Sequence, residues 1–98
     1  MKSGWAYILQ CADGSYYTGS TSNLEQRLAQ HRSGELGGYT ASRLPISVIF
    51  VQQFADIRDA VNAERQIKGW TRRKKKALIS GDYDSLPFLS QSRKTRPE

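Results

Sequence analysis

The chain has 98 residues, 38% of them hydrophobic, enough to bury the core of one small domain and too few for a second module of any size. Fifteen Lys and Arg against nine Asp and Glu leave a net charge of +6, which points to an acidic partner, nucleic acid first; charge alone weighs that evenly against a merely basic surface. One cysteine, Cys11, excludes an internal disulfide framework, and no apolar run approaches membrane-spanning length.

Met1-Lys2-Ser3-Gly4 leads straight into a strand without a signal-peptide core, so a cytoplasmic setting is expected. Trp5 to Cys11 and Ser15 to Ser20 are β-rich runs on either side of Asp13-Gly14, a strong hairpin signal. A two-residue Asp13-Gly14 loop would pair Gln10 with Tyr17 and put Tyr7 on the opposite face. A three-residue Ala12-Asp13-Gly14 loop, with Gly14 left-handed in a bulge, pairs Leu9 with Tyr17 instead. The longer loop is preferred, because only that register puts the two phenols on one face.

Ser22-Asn23-Leu24-Glu25 reads as a capping box opening a helix that stops near Gly34. With Leu24 at zero, Leu28 lies at about +40°, His31 at about −20° and Arg27 at about −60°. Arg27 and His31 therefore stand on or beside the leucine face and lean over the hairpin. Ser33 to Pro45 is rich in glycine and polar residues and reads as a loop, in which Tyr39 and Arg43 either touch a phosphate or base or belong to an ordinary surface. The run Ile46-Ser47-Val48-Ile49-Phe50-Val51 predicts a third strand, buried on both faces and central.

Asp56 caps a second helix ending at Gly69, with an apolar stripe of Ile57, Ala60, Val61 and Ile67. Counted from Ile57, Glu64 falls at about −20°, in the middle of that stripe. A carboxylate there is costly unless a cation or hydrogen-bond donors meet it. An i,i+4 pair with Lys68, worth about 0.2–0.5 kcal/mol on an exposed helix, is too weak an explanation. A metal ion, or a cluster with Arg27 and His31, accounts for it better. Thr71-Arg72-Arg73-Lys74-Lys75-Lys76 opens a third helix ending at Ile79, whose five cations oppose the helix dipole and call for an acidic partner such as a phosphate backbone. Trp70 before them reads as packing. A polar, basic tail at 83–98 is expected to be partly disordered, leaving 1–82 as the folded domain.

Taken in order, Trp5-Ala6-Tyr7-Ile8-Leu9, Tyr17-Thr18-Gly19, Arg27, His31 and Glu64 resemble the GIY-YIG nuclease superfamily, specifically small stand-alone members that are the nuclease domain alone. Trp5 stands where the first signature has glycine, and no asparagine follows Asn62, although many members carry a late one near the site. The resemblance implies a small α/β (α+β) domain, with a mixed three-stranded sheet of hairpin plus third strand flanked by helices. It implies metal-dependent hydrolysis of DNA on structured or damaged substrates, with RNA left open as a second substrate. Glu64 would hold one Mg²⁺ or Mn²⁺, since hard ions suit carboxylate, water and phosphate oxygens. Tyr7 would be the base, with Tyr17 beside it and the choice between the two phenols open. Arg27 and the metal would lower the phenol's pKa, and His31 would orient phosphate or relay a proton. Tyr39, Arg43, Lys68 and Arg72 to Lys76 are the candidate nucleic-acid contacts. A monomer without small-molecule cofactor or zinc is expected, with a protein partner left open. Rival readings are a non-catalytic nucleic-acid-binding module and an adaptor for a repair protein.

Overall fold

A computed structural model describes residues 2–82; the expected tail, 83–98, lies outside the described residues. The elements run β1 (Gly4–Gln10), β2 (Tyr16–Thr21), α1 (Leu24–Ser33), α2 (Gly38–Ala41), β3 (Ser47–Phe54), α3 (Ile57–Lys68) and α4 (Arg72–Ser80). This is the expected α+β architecture of three strands flanked by helices.

The hairpin takes the longer loop. Gly14 N–H donates to the Cys11 carbonyl at 2.9 Å, Cys11 N–H donates to the Ser15 carbonyl at 2.8 Å, and Gly14 sits at φ +85°. Leu9 therefore faces Tyr17 and Tyr7 faces Gly19. The sheet order is β2-β1-β3 with both pairings antiparallel, so the sheet is not mixed and β1, not β3, is central.

The expectation that β3 is buried on both faces also fails, since Val51 is 40% exposed. A register shift between Ile8 and Leu9 inserts Ile49 as an extra residue between Val48 and Phe50. Ile49 and Phe50 both pack against the cluster of Ile8, Ile67 and Leu78. A bulge on an edge strand thus uses up a continuous apolar run that periodicity alone assigns to a doubly covered strand.

Strand alternation divides β1 between two layers. Ile8 meets Ile67 of α3 and Leu78 of α4 in the core, with Tyr16 and half-buried Trp70 packed against them. Tyr7 and Leu9 face the other way, where His31 of α1 closes over them. Caps fix the helix ends. Asn23, one residue later than the expected Ser22, accepts from Gln26 N–H at 3.1 Å, and Asp56 and Thr71 cap α3 and α4 as expected.

The approach of α3 to the sheet depends on Gly4. A Cβ there would stand 2.7 Å from the Ile57 Cα and 3.1 Å from the Ala60 Cβ. The nearest obstacle includes backbone, so the helix itself would have to move. We expect Gly4→Ala to lose about 1–3 kcal/mol in a urea unfolding titration, in the range of an overpacked core.

Candidate active site

Tyr7 is 0% exposed, and its ring lies across Gly19 on β2. A Cβ at Gly19 would collide with the phenol oxygen and stand 2.5 Å from its Cζ, so only glycine admits the ring. Tyr7 Oη is 2.9 Å from His31 Nε2, and His31 Nδ1 is 3.0 Å from Thr40 Oγ1 on α2. Tyr7 and Tyr17 both meet the imidazole edge-on, with centroids 5.7 and 5.2 Å from it. The three rings share one face of the hairpin, as the preferred register requires.

Burial pushes the Tyr7 phenol up to about 12; Arg27 beside its oxygen pulls against this, while Tyr17 and Glu64 add to it. Arg27 lowers this phenol as expected, but desolvation of the phenolate outweighs the guanidinium and the net shift is upward. Burial, then Arg27, depresses His31 below its ordinary value, so the imidazole is held neutral.

Glu64 reaches the site from the other layer. Ser20, on the opposite face of β2 from Tyr17, donates its hydroxyl to Glu64 Oε1, and the Lys68 ammonium lies 2.6 Å from Oε2. The buried stripe of α3 is Ala60, Ala63 and Ile67, and Glu64 stands beside it with 19% of its side chain exposed. Its direct partners are thus Ser20 and Lys68, not the expected cluster with Arg27 and His31. Lys68 is raised chiefly by its hydrogen bond to Glu64 and feels Tyr17 as well. The carboxylate and the rings therefore lie on opposite faces of β2, the edge strand that carries both Ser20 and Tyr17.

Among the described residues no three His, Cys, Asp or Glu are grouped as metal ligands. One partly exposed carboxylate beside a hydroxyl suits a hard divalent cation that takes most of its shell from water and substrate phosphate. It does not suit zinc.

The other candidates divide. Tyr39 stacks on Tyr17 at 6.3 Å, and the Arg43 guanidinium sits 3.8 Å over the Tyr39 ring. Arg43 also pairs with Asp13 of the hairpin turn at 3.1 Å, so both residues brace the site before they meet any ligand. Arg72 lies 4.0 Å over Tyr16 and donates to the Gly14 carbonyl at 2.9 Å, tying α4 to the hairpin. Arg73, Lys74, Lys75 and Lys76 follow on α4, in the layer of Ile8, away from the rings. Thr40, considered from sequence only as a ligand contact in its loop, holds His31, and Ser20, which holds Glu64, escaped sequence reasoning. Neither lies at a periodic position on its own element, and each acts on a residue far along the chain.

A completely buried phenol thus lies over a strand glycine, hydrogen-bonded to an imidazole with a guanidinium beside it. The family model of the GIY-YIG catalytic domain matches residues 3–77, and the chain belongs to that nuclease family. It is 41% identical over 90 residues to a UPF0213 protein of Streptococcus pneumoniae, covering 90% of this chain and 91% of that one. A UPF0213 protein of Lacticaseibacillus paracasei is 42% identical over 78 residues, covering 80% and 88%. The solution NMR structure of the UPF0213 protein BH0048 from Bacillus halodurans superposes with TM-score 0.55 at 32% identity, covering 97% of this chain and 99% of that one. No helix among the described residues is long and apolar enough to cross a membrane.

The buried groups make stability pH-dependent with opposite signs at the two ends. His31, lowered from 6.5, favours the fold above that value and loses its contribution as pH falls below it. Tyr7, raised from 10.0 to about 12, favours the fold below pH 10 and loses its contribution as pH rises between the two values. That arm is worth on the order of 2–3 kcal/mol. Denaturant midpoints followed through this alkaline range should fall for the wild type, and Tyr7→Phe should remove that part of the fall together with one late-ionising phenol in ultraviolet absorbance.

Proposed function

We propose that this chain is a divalent-metal-dependent endonuclease that hydrolyses DNA phosphodiesters, on structured or damaged substrates in repair or processing. The observation that carries this reading is the meeting of Tyr7, Tyr17, His31 and Arg27 on one face of the hairpin, with Glu64 held on the opposite face of β2. The basic surface of this domain favours affinity from phosphates more than from base edges.

A phenol held near 12 keeps its proton at neutral pH, so it serves as a base only if that proton leaves as another arrives. His31 Nε2 is in hydrogen-bond reach to take it. The Tyr7 oxygen is closed to water in the free chain, so substrate binding would have to admit the attacking water; that water then gives a proton to the Tyr7 oxygen while the Tyr7 hydroxyl proton passes to His31, and the resulting hydroxide attacks phosphorus. Arg27 meets charge building on the phosphoryl oxygens. Tyr17 orients water or phosphate from the adjacent ring position. A divalent cation held by Glu64 would supply charge neutralisation at the scissile phosphate and at the departing 3′ oxygen. Lys68, Glu64's partner at 2.6 Å, would then be free to contact the phosphate backbone, as the cations of α4 would further along.

One observation favours a second reading. Glu64 is already satisfied by Ser20 and Lys68, as it would be in a nucleic-acid-binding module that does not cleave.

Nicking of supercoiled, flapped and branched DNA with Mg²⁺ or Mn²⁺ separates the two. We expect cleavage by the wild type and a loss of at least about 100-fold in Tyr7→Phe, as for removal of a general base. Glu64→Gln should lose comparable activity with binding retained, and binding should weaken as salt rises. No turnover with any divalent ion on any substrate would leave the binding module standing.

A further inference from the structure

The segment from Gly34 to Ser47 connects α1 to β3 and carries α2, yet it is pinned to the hairpin at several points. Ala12 N–H donates to the Arg43 carbonyl at 2.8 Å, Arg43 pairs with Asp13 at 3.1 Å, and Tyr39 stacks on Tyr17. Thr40, 2% exposed, sits between those anchors with Oγ1 3.0 Å from His31 Nδ1. A surface loop needs none of this. The pinning has the effect of holding one hydroxyl against one nitrogen.

Which nitrogen of a neutral imidazole carries the proton is set by what faces the other. Arg27, beside the Tyr7 oxygen, offers only donors, so it does not compete with Nε2 for the phenol's one hydrogen. A phenol is also the better donor of the two hydroxyls, and an aliphatic hydroxyl the better acceptor. The proton of the ring then belongs on Nδ1, directed at Thr40 Oγ1. We propose that Thr40 is a positioning residue that holds His31 in the Nδ1–H tautomer, leaving Nε2 open to receive the Tyr7 proton. The inference deepens the nuclease reading and rests on it for its catalytic consequence; the tautomer itself stands apart from any activity.

The groups facing His31 are Tyr7 from β1, Tyr17 from β2, Thr40 from α2 and Arg27 from its own helix. When the Tyr7 proton moves to Nε2, the ring becomes an imidazolium whose Nδ1–H still meets Thr40. With the opposite tautomer Nε2 already bears hydrogen, and the phenol has nowhere to send its proton.

His31 is the chain's one histidine, so its ring nitrogens can be read without ambiguity in a ¹⁵N-labelled sample of the full chain. Long-range ¹H–¹⁵N correlation at neutral pH should show Nε2 unprotonated and Nδ1 protonated. Thr40→Val should shift the ring toward the other tautomer or a mixture, and Thr40→Ser should restore the wild-type pattern. In the nicking assay Thr40→Val should lower kcat by about 10–100-fold with KM little changed, the usual loss when a histidine's orienting partner is removed. A wild-type ring with Nε2 protonated, or a Thr40→Val ring unchanged from wild type while the variant is folded by circular dichroism, overturns the proposal. If Thr40→Val does not fold, the wild-type and Thr40→Ser spectra decide it. If the wild type cuts nothing, the spectra still decide the tautomer, and the nuclease reading falls alone.

Discussion

A phenol excluded from water on every side, with an imidazole nitrogen as its partner, is the constraint around which this small fold is arranged. Tyr7 reaches that position only because Gly19 leaves its place on the neighbouring strand empty of a side chain. Its removal from water makes the neutral phenol the favoured form and the phenolate expensive. Burial thus holds the proton on the phenol and calls for an acceptor beside it. The rest of the site supplies it: α1 brings His31, α2 braces it, and Arg27 stands beside the phenol oxygen.

The two layers divide the labour. One carries the rings; the other carries the carboxylate, the aliphatic core and the cations of α4. Strand β2 lies between them as the open edge of the sheet, and its alternating side chains serve both, Tyr17 one way and Ser20 the other. The cation–π contact of Arg72 on Tyr16 belongs to the same strand, so the basic helix is referenced to the hairpin that carries the phenols. The basic helix and the buried rings are thereby held in one frame.

Much of this was legible from residue types and spacing. Asp13-Gly14 and the placement of the tyrosines were enough for the register, because only one loop length puts both phenols on a face. Asp56, Thr71 and the glycines at 34 and 81 mark helix ends through local backbone chemistry alone. What failed depends on quantities a linear pattern does not contain. An angular projection put Glu64 inside an apolar stripe, but the stripe's true width depends on how α3 rests on the sheet, which Gly4 decides. The apolar run of β3 gave no hint of the bulge that turns two consecutive residues to one side. The direction of the Tyr7 shift followed from depth of burial, which opposes and exceeds the nearby charge. Thr40 lies on a four-residue helix too short to have a period, and its partner is on another element.

The bulged turn at Gly14 also acts as a length gauge. Because side chains change sides at every residue, shortening that turn by one would present Thr18 where Tyr17 belongs and set Ser20 against the imidazole layer. Both halves of the centre would be emptied in a single slip while most backbone pairings survived. In this chain the spacing between Tyr7 and Tyr17 is therefore set by the turn and not by the strands alone.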